Sequence, residues 1–273
     1  MSIRYPFALL VILFFSSVPA FGQNSKQELN DQFFEAVRKG DASGVTALLD
    51  KGVDVNTKFR YGTTALFKAA ERGNVEVVKI LLARGADINV KDTFYGATAI
   101  SWALQNGHVD VVKEFLAKQP DVAEEVLMTG VTEGKPELVK LALAQGGLKK
   151  EALTTALFLA ARDKDSAEAA ELLKKGGAVP PPEINPTTMQ SYAGKYKGDS
   201  SEATITYSGG ALSGGLAGQR PRPLMPLDET TFSVLFIDGD VTVHFKVDQG
   251  KVVGMTLTEG KKVTEFTRMP DVK

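Results

Sequence analysis

The side chains best suited to proton transfer in this sequence are its two histidines, His108 and His244, because an imidazole titrates near neutral pH. A Ser-His-Asp relay would have to use one of them. His244 stands on the polar side of the alternating stretch 241–247, a position that favours a solvated strand residue over a catalytic base. The sequence has only these two histidines, and they are far apart along the chain, so it offers no closely spaced histidine pair to hold a metal ion.

Other patterns that could support catalysis are missing from the sequence. It has no cysteine, which excludes thiol catalysis, disulfides and zinc–thiolate sites. No serine is followed three residues later by lysine, and neither a Gly-x-Ser-x-Gly nor a phosphate-binding Gly-x-x-x-x-Gly-Lys motif occurs. Asp238 and Asp240 flank a glycine, which is typical of a hairpin tip rather than of an acid–base pair. We therefore expect no catalytic residue, no cofactor, no metal site and no enzymatic activity.

Residues 64–89 carry the pattern of two consecutive helices. Thr64 is of a type that caps helices, and Gly73 and Gly85 are suited to the left-handed conformation that ends them. Apolar residues recur at three- and four-residue spacing, which predicts one buried face on each helix. These faces comprise Ala65, Leu66, Ala69 and Ala70 in the first helix, and Val75, Val78, Leu81 and Leu82 in the second.

Copies of this unit precede and follow it along the chain. Gly40, Gly73 and Gly107 are spaced by 33 and 34 residues, and two weaker copies come after them. Such a helix pair cannot bury its apolar faces alone, so neighbouring copies must stack on it. The unit resembles an ankyrin repeat. The resemblance predicts an α-solenoid of about five repeats over residues 30–179, the fourth of them degenerate.

The sequence pattern changes after residue 179. Residues 180–186 are rich in proline and predict a stiff linker. Residues 187–273 alternate apolar and polar side chains between glycine-containing turns, which predicts a small antiparallel β-barrel or sandwich. The predicted fold class is therefore α+β with two domains, an ankyrin-repeat α-solenoid followed by this β-domain.

The alternation in the β-domain also makes finer predictions. It places Val253, Met255 and Leu257 on one face of a strand, and it makes Ser213-Gly214-Gly215 a turn. Barrels of this size are usually filled by their own side chains. The side chains suited to this filling are Phe232, Phe236 and Phe245.

Four short motifs stand out in the β-domain. They are Ser-Tyr-Ala-Gly-Lys-Tyr at 191–196, a stretch at 224–232 ending in Asp-Glu-Thr-Thr-Phe, Val-His-Phe at 243–245, and Gly-Lys-Val-Val-Gly-Met-Thr-Leu at 250–257. Together they resemble the lipocalin-like C-terminal domain appended to bacterial serine hydrolases of the β-lactamase type. The resemblance implies a domain that supports assembly or borders an active site, with the chemistry in another domain that this sequence lacks. Self-association through the β-domain is a further expectation.

The N-terminus has the composition of a secretory signal peptide. Arg4 supplies a positive charge, residues 7–15 are almost wholly apolar, and Ala20-Phe21-Gly22 places small residues before a cleavage site. We therefore predict removal of residues 1–22, a flexible segment at 23–29, and a periplasmic or secreted bacterial protein with no integral membrane span after cleavage. An uncleaved membrane anchor is the competing interpretation, although the apolar run is short for a bilayer.

The overall charge restricts the partners. Of the 273 residues, 43% are hydrophobic and 24% are charged, and the formal net charge is −1 with a pI of about 6.2. The sequence therefore lacks the broad basic field that draws proteins onto nucleic acid or an anionic membrane. We expect a protein partner and no nucleic acid.

The predicted contact residues lie at the turn tips and on the first helices of the repeats. Tyr61 and Tyr95 are equivalent in consecutive repeats, 34 residues apart. The ankyrin resemblance implies that these positions contact partners, and tyrosine and arginine are favoured at interface hot spots. The alternative is that the tyrosines pack on adjacent turns. The predicted partner-binding residues are Arg60, Tyr61, Glu71, Arg72, Phe94, Tyr95, Gln105 and Asn106.

The ankyrin resemblance assigns structural roles to two further residues. It implies that His108 bonds to the turn of the neighbouring repeat and that Trp102 packs between helices. Neither residue is therefore predicted to contact the partner.

Two functions are compatible with these features. The first is a non-enzymatic scaffold in an exported compartment, which binds a protein partner through its turn tips and first-helix surface. The second is a carrier that encloses a small apolar ligand in the β-barrel. The small size of the β-domain favours the scaffold, because such a barrel leaves little space inside.

Overall fold

The structure is a computed structural model that describes residues 21–237 and 239–270. The described chain divides into two compact units, and the boundary between them lies between Gln119 and Pro120. The predicted signal peptide lies outside the described residues except for its last two positions, and Asp238 lies outside them as well. The predicted domain boundaries on either side of residues 180–186 stay predictions.

Within residues 21–119, the first unit consists of three helix pairs. The pairs are α1 (Phe21–Lys39) with α2 (Ala42–Asp50), α3 (Ala65–Glu71) with α4 (Val75–Ala83), and α5 (Ala99–Gln105) with α6 (Val109–Lys118). The first helices contact one another in order, α1 with α3 and α3 with α5, and the second helices do the same. The copies therefore stack in two layers, as repeats that share one core must.

Burial follows the predicted apolar face of α3, and that of α4 with one correction: Val75, the first residue of the helix, is only half-buried, and Val77 is buried instead. Leu66 in α3 and Leu81 in α4 are fully buried, and each such side chain contributes roughly 1.5–3 kcal/mol to folding. Gly73 and Gly85 end the two helices with positive φ angles of 69° and 84°. Both helix ends therefore form as the sequence predicts, because glycine adopts this conformation without steric cost.

The caps of the first helices differ between repeats. Thr64 precedes α3, but its buried hydroxyl makes no hydrogen bond with another described residue, contrary to the predicted cap. The equivalent Thr98 forms a capping box with Ser101 at the start of α5. Phe67 occupies the position of that serine in α3, so the α3 start lacks the reciprocal polar partner.

Residues 23–29, predicted to be flexible, form part of α1. The helix continues through them because they contain neither proline nor glycine. Side chains four residues apart also pair on this helix, as Gln27 does with Asp31 at 2.9 Å.

The second unit begins with two further helix pairs. They are α7 (Ala123–Thr132) with α8 (Pro136–Gln145), and α9 (Lys150–Ala160) with α10 (Ala167–Lys175). The first helices have 10 and 11 residues, against 7 in α3 and α5. Among the described residues, no helix is long and apolar enough to cross a lipid bilayer.

Eight antiparallel strands close into a barrel in the remainder of the second unit, so the β-domain is a barrel rather than a sandwich. Each strand pairs with its neighbours along the chain, and Tyr196 opposite Arg268 joins the first strand to the last. The strands are β1 (Gly194–Lys197), β2 (Glu202–Ser208), β3 (Ala211–Leu216), β4 (Arg222–Pro226), β5 (Thr231–Val234), β6 (Val241–Asp248), β7 (Lys251–Glu259) and β8 (Lys262–Arg268).

The short helix α11 (Pro186–Ser191) closes one end of the barrel. Met189 at this end and the Tyr192 ring belong to the buried barrel core, and Tyr192 stacks on Phe245 with ring centroids 4.2 Å apart. The Arg268 guanidinium donates to the carbonyl oxygens of Ser191 and Ala193. The strand that closes the barrel thus also holds the helix against it.

A β-bulge overturns the predicted face of β7. Lys246 pairs with Gly254 while the next residue, Val247, pairs with Val252, so Val253 is an extra residue in its strand. Because a bulge reverses the side-chain alternation, Val253 is 44% exposed while Met255 is buried. The prediction that Val253 shares a face with Met255 was therefore wrong.

Two further details of the β-domain correct the sequence interpretation. Ser213-Gly214-Gly215 lies within β3 and not in a turn, because Gly214 pairs with Ile205 in the neighbouring strand. Phe236 follows the end of β5 with a positive φ of 61° and is 50% exposed. Phe236 therefore does not fill the barrel, whereas Phe232 and Phe245 do.

Candidate functional site

The second turn tip, which carries Phe94 and Tyr95, is held in place by the buried carboxylate of Asp92. Its Oδ1 accepts the backbone N–H groups of Phe94 at 2.9 Å and Tyr95 at 2.6 Å. Its Oδ2 accepts the N–H of Ala97 at 3.2 Å and the indole Nε1–H of Trp102 at 3.5 Å. Burial alone would raise the pKa of Asp92, but these bonds favour the charged form, and the pKa is lowered below its usual 3.8.

The first turn tip, which carries Arg60 and Tyr61, is held by backbone hydrogen bonds instead of a carboxylate. Tyr61 adopts a left-handed conformation, φ 60° and ψ 26°, which costs a non-glycine residue roughly 1–2 kcal/mol. The N–H of Phe59 donates to the Thr63 carbonyl at 2.8 Å and closes the turn. The N–H of Thr93 donates to the Tyr61 carbonyl at 2.8 Å and joins the two tips. A rare backbone conformation held this firmly is typical of a functional position.

Four aromatic rings form a continuous surface across the two tips. Tyr61 contacts Phe94 with ring centroids 5.7 Å apart, Phe94 contacts Tyr95 at 4.5 Å, and Tyr95 contacts Trp102 at 6.1 Å. Tyr61, Phe94 and Tyr95 are 49%, 66% and 72% exposed. We call Tyr61, Phe94, Tyr95 and Trp102 the aromatic surface.

A groove of about 430 Å³ adjoins the aromatic surface. Phe34 and Phe59 line one part of it with their ring centroids 4.3 Å apart. Lys68 forms an ion pair with Glu71 in the groove. The residues that line this tip groove are Phe34, Phe59, Arg60, Tyr61, Thr63, Phe67, Lys68, Glu71 and Trp102.

The residues predicted to bind a partner fall into three groups. Arg60, Tyr61 and Glu71 line the tip groove. Phe94 and Tyr95 extend the aromatic surface beyond it. The remaining three lie exposed at the ends of α3 and α5 and do not line the groove: Arg72, Gln105 and Asn106.

The sequence prediction missed several residues of this site. Trp102 was assigned a packing role, and its indole does bond to Asp92, but its ring is partly exposed and lines the tip groove. Phe34 and Phe59 were not expected to meet. Asp92 could have been found, because an aspartate just before an exposed turn commonly accepts the N–H groups that follow it.

The two histidines hold structural positions. His108 Nε2 lies 3.0 Å from the carbonyl oxygen of Glu71 in the preceding repeat, which confirms the predicted bond between repeats. Asn74 makes a comparable bond one repeat earlier, from Nδ2 to the Val37 carbonyl at 3.2 Å. His244 is exposed on β6, with Nδ1 3.1 Å from the Thr231 hydroxyl. Within the described ranges, no cluster of three or more histidine and acidic side chains is placed to hold a metal ion.

Comparison with known proteins bears on the helical part of the chain. A search of curated protein sequences gave no match. A scan against protein families matched the family described as "Ankyrin repeats (3 copies)" over residues 33–126. This segment contains both turn tips and the tip groove. Residues 33–126 are therefore confirmed as ankyrin repeats, a class of structure that suggests a scaffold for protein–protein interaction.

Proposed function

We propose that the protein is a non-enzymatic scaffold whose aromatic surface and tip groove bind a segment of a protein partner. The observation that carries this proposal is the exposure of Tyr61, Phe94 and Tyr95 on two joined turn tips, the second of which is fixed by Asp92. The hydration of an exposed aromatic ring is unfavourable, and a partner that covers the ring removes this cost. Rigid rings also lose little conformational entropy on binding. The tyrosines do contact neighbouring rings, yet about half or more of each remains open to solvent.

The shape and charge of the site suggest the chemistry of the segment. A groove walled by Phe34, Phe59 and Trp102 suits an apolar side chain. The guanidinium of Arg60 lies 4.7 Å from the Tyr61 ring centroid and is solvent-exposed. Arg72 is exposed at the end of α3. The segment we propose therefore carries an apolar residue that enters the groove and acidic residues beside it, which would face the two arginines.

Native mass spectrometry of the full chain, recovered under gentle conditions from its own host, tests this proposal. We expect a defined additional protein mass, which is then identified and purified for titration calorimetry. The double variant Tyr61→Ala/Tyr95→Ala should bind this protein at least about tenfold more weakly, since truncation of a hot-spot residue costs about 2 kcal/mol or more.

A matched control is available in the barrel. Phe236 is exposed to a similar degree as Tyr61 but belongs to the second unit, so Phe236→Ala should leave the affinity unchanged. Unchanged affinity in the double variant would contradict the proposal. Equal loss in the double variant and in Phe236→Ala would also contradict it, because the contact would then not be specific to the tips.

We also propose that this scaffold works in an exported compartment, either a bacterial periplasm or the secreted fraction. Support comes from the sequence alone, namely Arg4, the apolar run 7–15 and the small residues before Gln23. The mass of the protein recovered from the exported fraction tests this, because cleavage would remove residues 1–22. A full-length mass in the cytoplasm would contradict it, and a full-length mass in the membrane would support the uncleaved anchor.

The second candidate, carriage of a small apolar ligand in the barrel, stays a proposal of lower rank. The closed end of the barrel is occupied by Met189, Tyr192, Phe232 and Phe245. A cavity of about 60 Å³ remains toward the other end. An engineered apolar cavity that binds benzene measures about 150 Å³, so the observed space argues against a bulky apolar ligand.

A further inference from the structure

The barrel interior changes character along its length. Its closed end is filled by aromatic rings, among them Tyr192 and Phe245. Toward the other end, a cavity of about 60 Å³ is walled by the aliphatic side chains of Ile205, Leu224 and Val243 together with Met255. A single water needs roughly 10–15 Å³ of such space, so the cavity has room for a chain of about four carbons.

Two arginines stand at the mouth of this cavity. Arg222 lies two residues before the buried Leu224 on β4, so both side chains project to the interior. Arg222 is opposite Gly214 in β3, which has no side chain to cover the guanidinium. Arg220 lines the same mouth from the preceding loop.

Neither guanidinium group has an acidic partner among the residues that the structure describes. Within residues 21–237 and 239–270, neither Arg220 nor Arg222 forms an ion pair or a side-chain hydrogen bond. Glu259 faces the same mouth, but it comes from β7, three strand positions away from β4 in the barrel order. The half-buried guanidinium of Arg222, with no carboxylate paired to it in the described part of the chain, is suited to bind an anion, since arginine donates two parallel hydrogen bonds to a carboxylate.

We propose that the open end of the barrel binds a short-chain monocarboxylate. Its carboxylate pairs with Arg222, assisted by Arg220, and its aliphatic tail of about three carbons enters the cavity beside Met255. The small volume of the cavity excludes long fatty acids, and the arginines select the anion over an alcohol of the same length. This site lies in the barrel and does not depend on the protein partner proposed for the turn tips.

Methyl NMR of the full chain tests the site directly, with butyrate as the probe. The chain has six methionines, and their methyl resonances are assigned from single Met→Leu variants. Butyrate should shift the Met255 methyl resonance saturably and leave Met128, in α7, unchanged. Butanol and butylamine should bind at least about tenfold more weakly, because they lack the charge-assisted pair.

Variants at the mouth separate this site from an adventitious one. Arg222→Gln should weaken butyrate binding about tenfold or more, and Lys195→Gln, an exposed lysine on β1, should leave it unchanged. Arg222 makes no side-chain bond within the described residues, so its variant should keep the thermal stability of the barrel. Glu259→Gln should tighten binding, because it removes a negative charge from the mouth.

Three outcomes would overturn the proposal. The first is the absence of a saturable shift at Met255, and the second is an equal response to butanol and butyrate. The third is weaker butyrate binding in Glu259→Gln, which would mean that Glu259 supports the site instead of repelling the carboxylate. None of these results would bear on the aromatic surface, because Met255 reports on the barrel interior.

Discussion

The backbone N–H of Tyr95 donates to the carboxylate of Asp92 at 2.6 Å. Through this bond, a buried charge holds a ring that is 72% exposed. The Trp102 indole donates to the same carboxylate. The Phe94 N–H donates to it as well. One acidic side chain thus positions three of the four rings of the aromatic surface, and its replacement should affect both folding and binding.

Asp92→Asn should loosen the second tip, because a neutral amide accepts the surrounding N–H groups more weakly than a carboxylate does. We expect a loss of about 1–3 kcal/mol in the free energy of unfolding of the first unit. Urea denaturation followed by the fluorescence of Trp102, the sole tryptophan, measures it. Asp31→Asn, an exposed aspartate in α1, should have little effect; equal losses in both variants would contradict the role of Asp92.

The contribution of Asp92 should also depend on pH. Its pKa is lowered from 3.8 in the folded protein, so its charged form stabilises the fold fully above that value and the stabilisation is lost as the pH falls through the lower folded pKa. The stability difference between the wild type and Asp92→Asn should therefore be constant near neutral pH and shrink below about pH 4. Urea denaturation at several pH values tests this, and a difference that grew on acidification would contradict it.

Tyr61→Gly should separate binding from folding at the first tip. Glycine accepts the left-handed conformation at φ 60° without cost, which offsets the lost ring contact with Phe94. We expect the stability of the first unit to stay within about 1 kcal/mol of the wild type. Affinity for the partner should fall at least about tenfold in calorimetry. Parallel losses of stability and affinity would instead indicate that the ring is mainly a packing element.

His108→Ala should destabilise the junction between the second and third repeats by about 1 kcal/mol, because it removes the bond to the Glu71 carbonyl. His108→Asn should recover part of this loss, since Asn74 makes the comparable bond one repeat earlier. Urea denaturation of the three proteins measures the order of stability. If His108→Asn were no better than His108→Ala, the bond would not be the source of the effect.

Gly254→Ala should destabilise the barrel, because the added Cβ would lie 2.4 Å from the carbonyl oxygen of Phe266 in β8. Relief of this clash requires β7 and β8 to shift, at a cost of about 1–3 kcal/mol. Circular dichroism at strand wavelengths during thermal unfolding would report it. Thr256→Ala on the same strand is the control, and an equal effect there would show that strand propensity, not the close approach, decides the cost.

The helical part of the fold could be predicted because each repeat carries the same spacing. Gly40, Gly73 and Gly107 keep their register, and the buried faces follow the 3.6-residue period. Only part of the candidate site could be predicted from this spacing. Tyr61 and Tyr95 are visible as equivalent positions, but the meeting of Phe34 with Phe59 depends on how one tip folds back over α1, which no local pattern specifies.

The barrel shows the same limit for a different reason. The alternation of apolar and polar residues identified its strands. A face predicted from alternation assumes an unbroken pleat, however, and the extra residue at Val253 reverses the faces of β7. Glycines were interpreted as turns, although Gly214 serves instead to keep β3 close to its neighbours. The size of the cavity beside Met255 depends on the volumes of side chains from six strands. How these side chains fill the interior is determined by tertiary packing, which sequence spacing does not specify.

The pairing of Tyr196 with Arg268 has a consequence for the folding rate of the barrel. All the other strand pairs join neighbours along the chain, so they form through short loops with little entropic cost. Closure must bring together segments about 70 residues apart, and such non-local contacts form slowly. Until it forms, β1 and β8 each present an unpaired edge that a second nascent chain could extend. Ring closure therefore competes with chain association, and slower closure favours aggregates during synthesis.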